Sequence, residues 1–164
     1  MQTPQEREKR PEKTRSVPFS ESGRQVMLLS RKAAERFNHS YIGTEHMLLA
    51  LTEEETTRKL FQDMDINPDE IRLSLESKTP PFDNPFNGEP MITPMAKKVI
   101  QRAPEIFSLE EIRALDLLIA IILEDEGIAA ETLKEFKLEK NTLRQAMAVT
   151  NATADILSKK AWLN

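Results

Sequence analysis

The sequence predicts an all-α protein of about eight helices, built as two pseudo-symmetric four-helix repeats. Three observations predict it. Apolar residues recur at three- and four-residue steps and not in alternation. One stretch rich in Pro, Asn, Asp and Gly, residues 78–91, interrupts them. The pattern beyond that stretch repeats the pattern before it at an offset of about seventy residues.

Residues 1–18 hold three Pro, five basic and three acidic residues with Met1 and Val17 as their only aliphatic side chains, so they are expected to form a disordered tail. From Ser20 onward, Val26, Leu29, Ala33 and Phe37 fall on one stripe of a first helix. Asn38 to Gly43 is polar loop. Thr44 then stands in the N-cap role with Glu45 at the positive end of a second helix, and five successive apolar residues, Met47 to Leu51, follow. A helix apolar on all sides must be enclosed, so the other elements are expected to pack around this one, as far as about Glu53. Leu60, Phe61 and Met64 mark a short third helix. The fourth opens with Asn67 as cap, Pro68 at the first helical position, Glu70 reaching back and Ile66 with Ile71 as a staple.

After the 78–91 linker, Thr93 corresponds to Ser20, Val99 to Val26, Ile112 to Ile42, Leu118 to Leu48, Leu138 to Ile66 and Leu143 to Ile71. Pro104 is expected to end or kink the fifth helix near Ala103. Gly43-Thr44-Glu45-His46 is replaced by Arg113-Ala114-Leu115-Asp116, and Ser108 with Glu111 reads as a capping box that starts the sixth helix a turn earlier, to run to about Glu124. Gly127 separates it from a helix carrying Ala129, Leu133 and Phe136, and the last helix holds Leu143 and Met147. The expected organisation is a tail (1–18), a first repeat (19–77), the linker (78–91), a second repeat (92–147) and a C-terminal extension (148–164) that either lengthens the last helix or docks back.

Composition excludes several functions. With 23 Lys plus Arg against 27 Asp plus Glu, the net charge of -4 supplies no basic field for nucleic acid. The absence of Cys removes disulfides and thiolate metal sites and fits a reducing, cytoplasmic setting. The longest apolar run, Leu117 to Leu123, is too short to span a bilayer, so no membrane role is expected. Four Gly and no G-x-x-x-x-G-K-S/T segment exclude a P-loop, so the chain is not itself an ATP-driven motor. His39 and His46 are the only histidines; they read as loop-closing or packing residues, no metal or other cofactor is implied, and no nucleophile has a base beside it. The acidic runs 53–55 and 124–126 read as solvated faces, with a basic adaptor surface as a secondary use.

Glu45 is the residue with chemistry to offer. The helix dipole alone explains a carboxylate there, yet a carboxylate is also a bidentate acceptor for a guanidinium, and the first helix N-terminus with the Ser20 hydroxyl suits a phosphate.

Phe19-Ser-Glu-Ser-Gly-Arg-Gln-Val, then Asn38-His39 and Ile42-Gly43-Thr44-Glu45-His46-Met47-Leu48-Leu49, resembles the Clp N-terminal repeat of the Clp AAA+ unfoldases, ClpC type, over roughly residues 19–147. The resemblance implies a pseudo-symmetric all-helical pair of repeats that is not an enzyme. It implies a recognition module for substrates, adaptors or marked proteins on behalf of a Clp unfoldase-protease, encoded separately or as part of a longer chain. It also implies a pocket for phosphorylated arginine, a degradation mark, at Ser20 and Glu45. Leu115 accepts no hydrogen bond from a guanidinium, so the second repeat is expected to have lost its pocket and with it two-point attachment to multiply marked substrates. The rival readings are a regulator or decoy that docks on the Clp machine and, from another class, a small hydrolase. Nothing in the sequence sets the partner or the oligomeric state.

Overall fold

The computed structural model describes residues 16–107, 110–139 and 141–142. The helices are α1 (Glu21–Arg36), α2 (Thr44–Glu53), α3 (Glu55–Asp63), α4 (Pro68–Lys78), α5 (Pro94–Phe107), α6 (Ala114–Glu124) and α7 (Gly127–Glu135). Two-residue strands β1 (Tyr41–Ile42) and β2 (Met91–Ile92) complete the described elements. The all-helical expectation holds, with two further helical residues, 141–142, where the eighth helix was expected. Ser108, Leu143, Met147, the 148–164 extension and most of the 1–18 tail lie outside the described residues.

Two helices form the middle. Every residue from His46 to Thr52 in α2 and from Asp116 to Ile122 in α6 is buried. The amphipathic helices α1, α3, α4, α5 and α7 surround them, each packing on α2 or α6. Val26 and Ala33 on α1, Phe61 on α3, Ile71 and Leu75 on α4, Ala96 and Val99 on α5, and Ala129 and Leu133 on α7 supply the buried stripes. Each fully buried Leu, Ile, Met or Phe contributes about 1.5–3 kcal/mol. No described helix is long and apolar enough to cross a membrane.

The two halves are tied crosswise. β1 pairs with β2 in parallel, Tyr41 opposite Met91 and Ile42 opposite Ile92, and Phe19 makes the equivalent bridge to Ile112. The N–H of Thr93 donates to the Ile42 carbonyl (3.0 Å), and the N–H of Ser20 donates to the Ile112 carbonyl (3.0 Å). Each opening segment therefore pairs with the loop of the other half. The hydroxyls match too: Ser20 Oγ accepts from Gly23 N–H and Thr93 Oγ from Ala96 N–H, both at 3.2 Å.

Several local expectations are corrected. The N-cap of α2 is Gly43, with Thr44 already helical, because His46 and not Thr44 supplies the capping acceptor. The sixth helix starts at Ala114, since the backbone of Ile112 is committed to Pro18 and Ser20 and Asp116 caps Arg113 N–H at 2.8 Å. Helix α5 continues through Pro104 to Phe107. A proline removes one helical bond but its fixed φ suits a helix, and Ala96, Val99 and Ala103, all buried, hold α5 on the core. Asn67 caps α4 through Asp69 N–H (3.0 Å). The linker stretch is not wholly irregular, since Met91 belongs to β2 and Lys78 to α4.

The acidic runs are not simply solvated faces. Glu54 is buried and caps α3, accepting from Thr57 N–H (2.9 Å) and Thr56 Oγ1–H (2.6 Å). Burial pushes its carboxyl up, but these bonds outweigh burial and hold it below the ordinary range. Glu124, partly buried, is gripped by Lys98 (2.6 Å) and Arg102 (2.8 Å).

Candidate functional site

The loop between α1 and α2 is closed by a chain of hydrogen bonds whose direction the chemistry fixes. The N–H of Gly43 can only donate, so His46 Nδ1 accepts it (3.0 Å) and the ring proton sits on Nε2. His46 Nε2–H then donates to His39 Nδ1 (2.9 Å), and His39 Nε2–H donates to the Pro80 carbonyl (3.0 Å). Both imidazoles are neutral in this arrangement. Burial first, and the neighbouring His39 second, push His46 down to about 4. The rings of Phe37, His39, Tyr41 and Phe82 pack around the relay, with His39 stacked on Tyr41 at 5.0 Å. The linker is drawn in by Phe82 N–H donating to the Phe37 carbonyl and Asn38 Nδ2–H donating to the Phe82 carbonyl, both 2.9 Å. The loop-closing role read for the histidines is what they perform. Their reach to the linker was not visible, because nothing in local spacing connects residue 39 to residue 80.

Glu45 sits at the first turn of α2, where the dipole favours an anion. Its side chain is folded back over Gly43 and is 14 % exposed. Oε1 lies 3.8 Å from His46 Nδ1, but that nitrogen is an acceptor on a neutral ring, so the contact is no ion pair at neutral pH. Among the described residues no Lys or Arg forms a salt bridge with it. Tyr41 is the nearby wall: burial, and then the charge of Glu45, raise its phenol above the ordinary value.

Ser20 and Glu45 are not brought together. Glu45 adjoins His46, whose ring lies 6.4 Å from Phe37 at the C-terminal end of α1, whereas Ser20 caps the N-terminal end. A helix of 16 residues separates them, roughly 24 Å at 1.5 Å per residue. The hydroxyl residue tied to the Glu45 loop is Thr93, through Ile42, and Ser20 is its counterpart beside Arg113. The sequence missed this because it takes the crosswise pairing to see it.

The buried carboxylate of the second half is taken up from within. Asp116, fully buried, accepts from Arg113 Nε (3.0 Å) and Nη2 (2.9 Å) as well as from its backbone N–H. Ala114 N–H donates to Ser22 Oγ (3.1 Å). A cavity of about 790 Å³ beside it is lined by Ser20, Ser22, Glu21, Glu53, Glu111 and Arg113 among others. Leu115 offers no acceptor there.

The family model described as the Clp repeat (R) N-terminal domain matches residues 18–136. The chain is 31 % identical over 149 residues to the ATP-dependent Clp protease ATP-binding subunit ClpA homolog of Guillardia theta, covering 84 % of this chain and 18 % of that protein. It is 32 % identical over 136 residues to the chloroplastic chaperone protein ClpC1 of Oryza sativa subsp. japonica, covering 77 % and 14 %. The chain thus spans less than a fifth of these curated relatives. Among solved structures, the N-terminal domain of the caseinolytic protease associated chaperone ClpD from Arabidopsis thaliana has a TM-score of 0.65 at 19 % identity, over 87 % of this chain and 99 % of that one. At that identity the likeness is one of fold.

Proposed function

Because the chain belongs to the Clp repeat N-terminal-domain family, we propose that it is a non-catalytic recognition module that binds substrate or adaptor proteins for a Clp unfoldase-protease. The candidate guest is a cationic side chain, with phosphorylated arginine as the specific form, and Glu45 is its acceptor. One observation supports this above the others: a carboxylate at a helix N-terminus, partly exposed, with no cation of the described residues paired to it. Thr93 takes the place proposed for Ser20 as the neighbouring hydroxyl, since its backbone is bonded to the Glu45 loop. In the second half Asp116 is read as unavailable to such a guest, with Arg113 already on it.

Calorimetric titration of the protein with phosphoarginine tests the reading. A bidentate guanidinium–carboxylate pair is worth about 1.5–3 kcal/mol, so Glu45→Ala should weaken binding at least about tenfold. Equal affinity in wild type and Glu45→Ala rejects the assignment.

The rival reading, a regulator that docks on the Clp machine, is favoured by the linker surface. Phe82, Phe86 and Met91 are 50, 41 and 73 % exposed although Phe82 is anchored through both backbone groups. Co-purification with an unfoldase or peptidase that is lost in Phe86→Ser, with no affinity for phosphoarginine, would favour it. A cytoplasmic setting remains part of the proposal.

A further inference from the structure

We propose that Gly43 is a positioning residue for the candidate guest site, its missing side chain being the space in which the Glu45 carboxylate is seated. The inference rests on the reading of Glu45 as the acceptor. A Cβ on Gly43 would stand 2.3 Å from Glu45 Oε2 and 2.7 Å from both Oε1 and Cδ. Those distances leave no room for any other residue while the carboxylate stays where it is.

Glycine is not required there by the backbone. Residue 43 has φ -100° and ψ 178°, an extended conformation open to every L-residue. Nor is it required by capping, since the cap acceptor belongs to His46. The backbone is also unable to retreat from an added methyl. The Gly43 N–H is held by His46, and its carbonyl accepts from His46 N–H (3.1 Å) and Met47 N–H (3.2 Å). What yields is the flexible end of Glu45. Alanine at this position therefore evicts the carboxylate from over the helix N-terminus and leaves the fold in place.

The second half provides the internal comparison. At the equivalent cap stands Arg113, with a long side chain, and at the equivalent of Glu45 stands Leu115. Where no carboxylate needs seating, a bulky cap residue is accommodated; glycine and glutamate occur together in the first half.

Tyr41, the chain's one tyrosine, reports the carboxylate directly, because its phenol is held up by burial and by the Glu45 charge. The test compares wild type, Gly43→Ala, Glu45→Gln and the double variant Gly43→Ala with Glu45→Ala in the full chain. It reads the phenolate absorbance of Tyr41 against pH, phosphoarginine affinity, and the urea midpoint. The expected result is a downward shift of the Tyr41 midpoint in Glu45→Gln, the same direction of shift in Gly43→Ala, an affinity loss of about tenfold in Gly43→Ala, and a wild-type urea midpoint. A Gly43→Ala protein with the wild-type Tyr41 midpoint overturns the proposal. Should Gly43→Ala fold poorly, recovery in the double variant supports the seat, and failure in both means the glycine serves the fold and the proposal is wrong. Failure of wild type to bind phosphoarginine removes the guest reading, while the Tyr41 titration still decides the seat.

Discussion

Lowering the pH should destabilise the protein before its carboxylates titrate, through His46. In the unfolded chain this histidine takes up a proton near its ordinary 6.5, whereas in the folded protein it resists until about 4. Between those values the unfolded state binds more protons, so stability is fully present above about pH 6.5 and is lost as pH falls toward 4. Each pH unit across that gap is worth about 1.4 kcal/mol, giving about 3 kcal/mol in all and about 2 kcal/mol between about pH 7.5 and about pH 5. The structural cause is specific: a proton on Nδ1 expels the Gly43 N–H from the lone pair it donates to. The charged ring would also face His39, Tyr41 and Glu45, of which only Glu45 favours it, at 3.8 Å. Urea titrations at a series of pH values measure the effect. His46→Asn keeps an acceptor for Gly43 N–H, loses the titration and should show a flatter profile in this window from a lower starting stability. Parallel profiles for the two proteins would refute the reasoning.

Further expectations follow from the same geometry. Asp116→Ala removes the acceptor of the Arg113 N–H and leaves the half-exposed Arg113 guanidinium to water; a loss of about 1–2 kcal/mol in urea denaturation is expected, the size of a lost helix cap. Leu118→Ala in the enclosed helix α6 should cost about 2–5 kcal/mol by the same assay, because Leu118 is fully buried. Pro104→Ala should raise stability by about 1 kcal/mol, restoring a bond that α5 runs without. Glu54→Gln should flatten the acid limb below about pH 4.5, since a carboxyl held low loses its stabilisation as pH falls through its folded value.

Helix positions were legible where one face had to be buried. The enclosed helix ends at Glu53 as expected, and its start at Thr44 was missed as a cap by a single residue, because a histidine three residues on is a less familiar capping acceptor than a hydroxyl. The repeat was visible through Ile42 and Ile112 and through Ser20 and Thr93, pairs that do occupy matching places. What spacing could not reveal was which half each opening segment serves. The family resemblance put Ser20 and Glu45 in one pocket, and the strands place them at opposite ends of α1. Glu54 and Glu124 carried the same limit in another form: a run of acids looks solvated until Thr57, Lys98 and Arg102 arrive from other turns. Around Glu45 the neighbours Gly43 and Tyr41 stand close in sequence, whereas the Pro80 carbonyl that ends the histidine relay comes from 41 residues beyond His39.

The reciprocal strand bonds have a consequence for how such a molecule comes to exist. Half of it, made alone, would carry an extended leader with no loop to join and a loop with no leader, each with main-chain groups facing nothing but water. Two identical halves would answer one another about a two-fold axis, as a self-complementary pair. Tandem fusion turns that meeting of strangers into a step within one polypeptide, and it frees the two copies to diverge, as Arg113 and Gly43 have.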